Sequence, residues 1–484
     1  MTIFKTSYKS VEVNGEIAKD PNDYERLGIP HPESVPLESP INERLQDAPV
    51  VGALMGNPTE DNVALAFSAR HKNEYIYLHG RGAWFKWDGT RWCRDAVNMI
   101  KHDIRNLARA YNSDSKSAPA KSSFVSGVES FLKSDPAFAR DASTFDSDNY
   151  LLNCPDGTYD LKTMTRRAHN PEDCITYLTS ASPDSKVGKR FRQFLDEITD
   201  GDKELQAFLQ RALGSCLSGA IEEHWLMCWT GPGRNGKNTL GDAVLNVMGD
   251  YSRTIPSATL MAQQNPAHAT EIMNLKGKRL VSSGEIEEGA YWAEAKIKEL
   301  TGDEYLNGQY MRQNWMSFRR THKHLIYGNY RPQLRNTDVG IRSRLKIVPF
   351  NVSFLGREDA DLPRTLADEA GYILWWMMEG HCAWMEAGKA IGTCKAIDDE
   401  TQDYYEAQST IDMWIAERCI VEPLEGQPKS YWARANPLYR DYQTWKRARG
   451  EYAQSQTRFG EALTKKHPKV RADGIRYQGL ILKY

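Results

Sequence analysis

Along this chain the apolar positions switch between a period of two and a period of three to four, and the switches mark out its elements. No period is evident over residues 1–58, a polar stretch carrying Pro30, Pro32, Pro36, Pro40 and Pro49, so a loosely ordered arm is expected there. Helical spacing begins after Thr59, a cap residue ahead of Val63, Leu65, Ala66 and Phe67. Residues 75–78 and 84–87 then read as strands, and Asp88-Gly89 between aromatic-rich runs is a hairpin signal. Two helical stretches follow at 96–111 and 124–132, and residues 150–161 read as a turn-centred pair of strands. A mixed α/β N-terminal domain is therefore predicted over 59–185.

The next stretch alternates apolar and charged residues at helical spacing: Phe191, Phe194, Leu195 and Ile198, then Leu205, Phe208, Leu209 and Leu213. It predicts a small helical bundle over 186–221, expected to join subunits. Residues 225–230 form an apolar run of strand length, and Leu240, Val244, Leu245 and Met248 carry a helix that stops at Gly249. Between strand and helix lies Gly231-Pro232-Gly233-Arg234-Asn235-Gly236-Lys237-Asn238-Thr239. Strand, glycine loop and helix in this order predict a phosphate cradle: glycines let backbone N–H groups turn inward, and the lysine reaches the terminal phosphates. In such loops a Ser or Thr after the lysine holds Mg²⁺, but here that place is Asn238. An amide is a weaker ligand for a hard cation. Either the Asn238 carbonyl oxygen serves, or Thr239 takes over.

Further candidate parts of a nucleotide-hydrolysing site come in sequence. A short apolar strand near 280–283 ends in Glu285, Glu287 and Glu288, where a carboxylate can hold Mg²⁺ through water; taken alone, these read better as a solvated acidic strand end. Residues 325–327 lead into Gly328-Asn329, where a polar tip can sense a γ-phosphate or simply turn the chain. Arg342 and Arg344 offer planar, permanently charged donor forks, suited to a phosphoryl group or to a structural ion pair. Residues 371–380 are apolar almost all round and predict a buried packing helix. A polar acidic linker is expected at 398–406. After it, Ile411 to Ile415 and Leu438 to Trp445 read as amphipathic helices, Ser455 caps a third, and Asp473-Gly474 turns a terminal hairpin.

Composition adds bounds. The 484 residues suffice for several domains, and a 40% hydrophobic, 26% charged chain of net charge -2 is that of an ordinary soluble protein. Near-neutral charge leaves nucleic-acid binding open, since a local basic surface is enough. The eight cysteines show no C-x-x-C pair and no zinc-ligand spacing, which suits reduced thiols in a cytosol-like compartment. No apolar stretch is long enough to span a membrane and no leader is evident, so a cytoplasmic protein is expected, in a bacterial host's cytoplasm if the source is a phage or mobile element.

Four segments together resemble the helicase module of phage and plasmid primase-helicases, related to the poxvirus helicase-primase ATPase and placed in superfamily 3 of the AAA+ ATPases. They are residues 151–161; residues 233–239; residues 275–285 with 296–303; and residues 329–332 with 338–350. The resemblance implies an α/β multidomain chain: an AAA+-type P-loop core with a parallel sheet over 222–365, C-terminal helices packed on it over 366–400, and a winged-helix domain over 401–484. It implies ATP and Mg²⁺ as ligands, with Lys237 as the phosphate-binding lysine, Glu285 as principal acid, Asn329 as sensor and Arg344 as a finger in trans. Glu287 and Glu288 are metal-site helpers.

The family inserts a hairpin that projects into the channel of a ring, which here would be residues 305–318 with its tip at Gln313-Asn314-Trp315. Arg312, Arg319, Arg320, Lys323, Arg331 and Arg335 cluster around it with Tyr310. Basic residues interleaved with aromatics suit a strand held by phosphate contacts and stacking, although a solvated basic face with Trp315 in the core fits the same pattern. His322-Lys323-His324 reads as a strand entry rather than a metal pair. In the C-terminal domain Arg458, Lys465, Lys466, Lys469, Arg471 and Arg476 are DNA-contact candidates, against a subunit-docking role. The implied protein is an ATP-dependent helicase acting in replication as a homohexameric ring on single-stranded or forked DNA, beside a separate primase. The residues before Trp84 are too few for a primase domain of their own. An alternative of another class, a replication-initiator or structural DNA-binding ring with weak ATP turnover, stays open through Asn238.

Overall fold

The computed structural model describes residues 11–13, 16–18, 59–110, 121–141, 143–262, 269–284, 286–310, 314–334, 339–407, 410–421, 432–449, 452–453, 455–464, 466–471 and 474–483. Inside the stretch expected to lack pattern, β1 (Val11–Val13) and β2 (Glu16–Ala18) pair antiparallel. The signal was present as Asn14-Gly15 between two very short alternating runs.

The N-terminal module starts at α1 (Glu60–His71), where Thr59 Oγ1 accepts from the Asn62 N–H at 3.1 Å. Next come β3 (Tyr75–Leu78), β4 (Ala83–Trp87), β5 (Trp92–Arg94), α2 (Met99–Ala110), α3 (Ser122–Ser134) and β6 (Ala139–Arg140). The strands lie in the order β5-β4-β3-β6. At the Asp88-Gly89 turn the Asp88 carboxylate accepts from the N–H groups of Thr90 and Arg91 at 2.7 and 2.8 Å, closing the hairpin the sequence announces. The three helices cover the sheet through Val63, Phe67, Ile104, Val128 and Phe138. An antiparallel meander follows, made of β7 (Leu151–Cys154), β8 (Gly157–Asp160) and β9 (Thr165–Arg167). Its Leu152, Cys154 and Tyr159 are buried in the central core and not in that of the N-terminal module, so the shared packing crosses the boundary expected at 185.

Two helices, α4 (Lys189–Ile198) and α5 (Lys203–Ser215), precede the central sheet. That region comprises β10 (Leu226–Thr230), α6 (Lys237–Met248), β11 (Ser252–Ile255), α7 (Ala269–Met273), β12 (Leu280–Ser283), α8 (Glu294–Gly302), β13 (Tyr305–Gly308), β14 (Met316–Arg319), β15 (Lys323–Tyr327), α9 (Val339–Arg342) and β16 (Leu345–Pro349). Five strands form one parallel sheet in the order β11-β12-β15-β10-β16. Every residue of β10, β12 and β15 is buried; β10 accordingly reads as an apolar run, whereas β15 opens on Lys323-His324 and β12 ends in Ser282-Ser283. Each large apolar side chain sealed there, such as Trp229 or Ile326, contributes roughly 2 kcal/mol. Outside the sheet, β13 and β14 form their own antiparallel hairpin, with Tyr305 opposite Arg319 and Gly308 opposite Met316.

Beyond the sheet lie α10 (Leu362–Asp368), α11 (Ala370–Glu386) and α12 (Lys395–Ala407). Helix α11 is the buried packing helix and crosses α5 closely: a Cβ on Gly380 would meet the Gln210 carbonyl oxygen at 1.9 Å. The expected acidic linker at 398–406 is corrected, because this stretch lies within α12. Ile397, Tyr404 and Tyr405 make one buried stripe, and Trp292 Nε1 donates to the Tyr404 hydroxyl at 2.9 Å; the acids on the other faces hid the stripe. The C-terminal unit contains α13 (Thr410–Arg418), β17 (Cys419–Val421), β18 (Trp432–Arg434), α14 (Ala435–Ala448), α15 (Gln456–Thr464), β19 (Lys469–Arg471), β20 (Ile475–Gln478) and β21 (Leu480–Leu482). Its strand order is β17-β21-β18-β20-β19, two strands more than a lone terminal hairpin and its partner would supply. Among the described residues no helix is long and apolar enough to cross a membrane.

Candidate functional site

The glycine loop joins β10 to α6 at the carboxyl edge of the parallel sheet, where β10 lies between β15 and β16 and the chain leaves it toward both sides. A Cβ on Gly231 would meet the Phe350 carbonyl oxygen at 2.1 Å, so only glycine fits beside the end of β16. Further on, Gly233 and Gly236 adopt left-handed backbone at φ of 85° and 80°, and Arg234 joins them at 46°. The loop is pinned from below by Asn235, whose side-chain amide donates to the Phe350 carbonyl at 2.8 Å. Among the described residues the N–H groups of Gly233, Asn235 and Gly236 have no acceptor. Together with the start of α6 they make a concave array of donors able to hold an anion.

Lys237 opens α6 and is only 3% exposed. Its ammonium donates to Asn329 Oδ1 at 2.7 Å and to Asn235 Oδ1 at 3.3 Å. Asn329 stands exposed just past the end of β15, so the fold brings two of the sequence candidates into direct contact. Close by, the Oγ atoms of Thr230 and Ser283, at the carboxyl ends of β10 and β12, are buried without a hydrogen-bond partner. Asn238 is exposed and Thr239 half-buried. Glu285 lies outside the described residues, while Glu287 and Glu288 are exposed on the loop after β12.

A cavity of about 420 Å³ opens against the loop at Arg234, Gly236 and Thr239, a size suited to a small polyatomic ligand. Its other walls include Arg190, Phe194 and Glu197 from α4 and Phe354, Arg357 and Leu362 from the segment after β16. Arg190 reaches Glu197 at 3.0 Å and Asp359 at 3.3 Å, and Arg234 pairs with Glu358 at the mouth. As ligand-facing residues, those of α4 and of the 354–362 segment escaped the sequence reading. Phe194 carries a core-like helical period, and nothing in the sequence joins the 190s to the 350s before the chain folds.

The arginines after β15 separate. Arg344 is half-buried and spent within the chain, donating from Nε to Thr301 Oγ1 at 3.1 Å and from Nη1 to the Gly340 carbonyl. Arg342 is exposed, with its guanidinium over the Tyr405 ring at 4.9 Å.

The hairpin candidates divide more sharply. Arg312, Gln313 and Arg335 lie outside the described residues, Asn314 is exposed and Trp315 is 64% exposed rather than tucked into the core. Arg319 is exposed beside Glu304 at 3.4 Å, and Arg331 is tied to Glu400 of α12. Lys323 must be withdrawn as a DNA contact. It is fully buried at the start of β15, and its ammonium donates to the carbonyls of Ser215, Ser218 and Ala220 at 2.7, 3.1 and 2.7 Å. Burial pulls it down to about 8, low for a lysine but still protonated at neutral pH. Arg320 is likewise 5% exposed and donates to the Asp303 carbonyl at 3.0 Å, and burial lowers it to about 10. The neighbouring His322 and His324 are buried with rings 4.8 Å apart, and burial holds both far below the ordinary imidazole value. Among the described residues no group of three or more His, Cys, Asp or Glu could hold a metal ion.

In the C-terminal unit Lys466 is exposed and pairs with Asp412 at 2.9 Å, Lys469 and Arg471 are exposed on β19, and Arg476 is half-buried. The Arg458 side chain and Lys465 lie outside the described residues.

A parallel sheet, a glycine loop at its carboxyl edge and a lysine aimed at the neighbouring strand tip define an α/β core with a candidate phosphate-binding loop. Comparison with known proteins narrows this. The family described as D5 N terminal like matches residues 64–200. A protein of Acanthamoeba polyphaga mimivirus, named as a candidate helicase, is 26% identical over 233 residues, covering 47% of this chain and 24% of its own length. One from African swine fever virus (strain Badajoz 1971 Vero-adapted), named as a candidate primase, is 23% identical over 356 residues, covering 68% of this chain and 36% of its own. The chain thus spans about a quarter to a third of these relatives. Among solved structures, the apo A form of the NrS-1 C-terminal region aligns over 87% of this chain and 99% of its own at a TM-score of 0.47 and 12% identity. The chain is thus similar, over part of its length, to viral proteins named as candidate helicases and primases.

Proposed function

We propose that this chain is an ATP-driven DNA helicase module of a viral or phage replication apparatus, built on a superfamily 3 AAA+ core and working as a ring. The observation that carries the proposal is the contact of Lys237 with Asn329 across the carboxyl edge of the sheet, beside donors without acceptors and a cavity. ATP would lay its phosphates along residues 231–239 and its nucleoside in the cavity between α4 and the 354–362 segment. There Lys237 exchanges amide oxygens for phosphate oxygens, and Asn329, released from the lysine, is placed to orient a water at the terminal phosphate.

Mg²⁺ accompanies the nucleotide as a hard cation that neutralises developing charge. Oxygen donors fit it, and Asn238, Thr239, Glu285 and Glu287 are the residues that would hold it; the unpartnered Thr230 and Ser283 hydroxyls leave further donors nearby. For a neighbouring subunit the available donor fork is that of exposed Arg342, since Arg344 is occupied at home. Single-stranded DNA would be held by the β13–β14 hairpin through Trp315 and Arg319, with the C-terminal unit, read as a winged helix, offering Lys466, Lys469 and Arg471. ATP hydrolysis measured with and without single-stranded DNA, in the natural chain and in Lys237→Ala, tests the reading. DNA-stimulated turnover that disappears in the variant is expected, and turnover unchanged by the substitution overturns it.

A further inference from the structure

A second cavity, of about 530 Å³, lies where the N-terminal module meets the β13–β14 hairpin and the turn after α7, and no residue of the 231–239 loop lines it. Besides Arg319, which pairs with Glu304 at 3.4 Å, two cations reach it from separate parts of the fold: Arg81, exposed in the turn between β3 and β4, and Lys276, half-buried in the turn after α7. Neither forms an ion pair among the described residues. They also act on each other, since Lys276 is held below the ordinary lysine value by burial first and by Arg81 next, with Asp146 and Asp141 only partly opposing this. Like charges that converge in a cleft are a standing cost that an anion would remove.

The acids in the same wall are occupied. Asp146 accepts from the Thr176 N–H at 2.8 Å and from its hydroxyl at 2.6 Å, and burial holds its carboxyl above the usual range. Asp141 accepts from the N–H and hydroxyl of Ser143 at 2.8 and 2.7 Å. The ligand chemistry is completed by Tyr305, 56% exposed at the base of the hairpin, which offers a ring face for stacking.

We propose that this interdomain cleft binds the backbone of single-stranded nucleic acid, one phosphate lying between Arg81 and Lys276 and a base on Tyr305, so that a strand at the hairpin is held against the N-terminal module. This rests on the reading that the chain acts on single-stranded DNA. It gives the module a role that none of its own motifs announces: one wall of the strand's path.

The test is the binding of a labelled oligothymidylate as a function of salt, with thermal melting and DNA-independent ATP turnover as controls for folding. Arg81→Ala and Lys276→Ala are each expected to lower affinity about fourfold at 0.15 M salt and to flatten the log–log salt slope by about 0.7, the value of one phosphate contact on a single strand. Lys276→Arg should keep both affinity and slope. Tyr305→Ala should lose about fivefold or more in affinity with the slope unchanged, as stacking is not ionic. A double Arg81→Ala/Lys276→Ala variant with natural affinity and slope overturns the cleft, and so does displacement of the oligonucleotide by an equal phosphate concentration of free thymidine monophosphate, which would assign the site to mononucleotides. A natural chain that binds no oligothymidylate overturns the helicase reading and the cleft with it.

Discussion

The two ends of β15 each receive a buried lysine, and the two lysines have nothing else in common. Lys237 meets the carboxyl end and Lys323 begins the strand, at 3% and 4% exposure. The first donates at 2.7 Å to the side-chain amide oxygen of exposed Asn329, which can rotate away and yield its place to a phosphate oxygen, and at 3.3 Å to that of pinned Asn235. The second donates to three main-chain carbonyls around the end of α5, fixed by the backbone and unable to yield. A buried ammonium is held for exchange when its acceptors are mobile and for structure when they are not. Burial and charge alone do not separate these cases; the identity of the acceptors does.

Substitution at the two sites should therefore produce opposite signatures. Lys237→Ala is expected to lower ATP turnover by about 10²- to 10³-fold, the loss typical of removing one preorganised donor from a reacting phosphate or oxyanion. Its unfolding midpoint in urea should stay near that of the natural chain, because exposed Asn329 recovers its hydrogen bond from water. A large fall in stability would mean that the amide contacts are structural, and the contrast between the strand ends would vanish.

Lys323→Met nearly conserves volume but strands three carbonyls in the core. An expected loss of about 3 kcal/mol or more follows, since each unpaired buried acceptor costs on the order of 1 kcal/mol or above. Urea denaturation reads this directly, and oligonucleotide affinity of the folded protein should not change. A stable variant with weakened DNA binding would return Lys323 to the nucleic-acid surface from which its burial removes it.

Acid should single out the amino end of β15. His324 is held down to about 3 by burial, and His322 also lies far below the ordinary value of 6.5. Below pH 6.5 the unfolded chain binds protons at these sites and the folded chain does not, down to about 3 at His324, so stability is full above 6.5 and falls as pH drops below it. Each histidine contributes a slope of roughly 1 kcal/mol per pH unit. Stability measured from pH 7 to 5 in a His322→Gln/His324→Gln variant should be flatter than in the natural chain; equal slopes would assign the acid sensitivity elsewhere.

Legibility in the sequence follows the same division. The strand-loop-helix unit, the Asp88-Gly89 hairpin and the helices over 189–215 could be read because each is local: its period and its turn residues lie within a few positions of one another. The pairing of Lys237 with Asn329 was anticipated only by the order of motifs, while the actual contact depends on β15 lying next to β10. The residues that went unread are those whose role is set by a distant partner. Lys323 sits in a basic cluster that looks exposed, yet α5 ends over it and supplies its acceptors. Arg190 and Arg357 line one cavity although more than half of the core separates them in sequence. Helix α12 was taken for a linker because its acids outnumber the Ile397, Tyr404 and Tyr405 stripe, whose burial appears only when β16 and α9 are in place.

The finest test of the exchangeable end concerns Asn238, which stands where a hydroxyl residue usually follows the lysine. It is exposed in the first turn of α6, and among the described residues its side chain makes no hydrogen bond, whereas Thr239 lines the 420 Å³ cavity. If Mg²⁺ needs only one oxygen donor from this turn, either the Asn238 amide oxygen or the Thr239 hydroxyl suffices, and Asn238→Ser should leave ATP turnover intact or raise it slightly. Stability should shift by no more than about 0.5 kcal/mol, as at other exposed positions. Turnover measured across a Mg²⁺ titration distinguishes the two donors: a rise confined to low Mg²⁺ shows a serine hydroxyl binding the cation better than the amide it replaces. A marked loss at every Mg²⁺ concentration would instead show that the amide does something a hydroxyl cannot, and Asn238 would join Lys237 and Asn329 as a third side chain on which this end of the sheet depends.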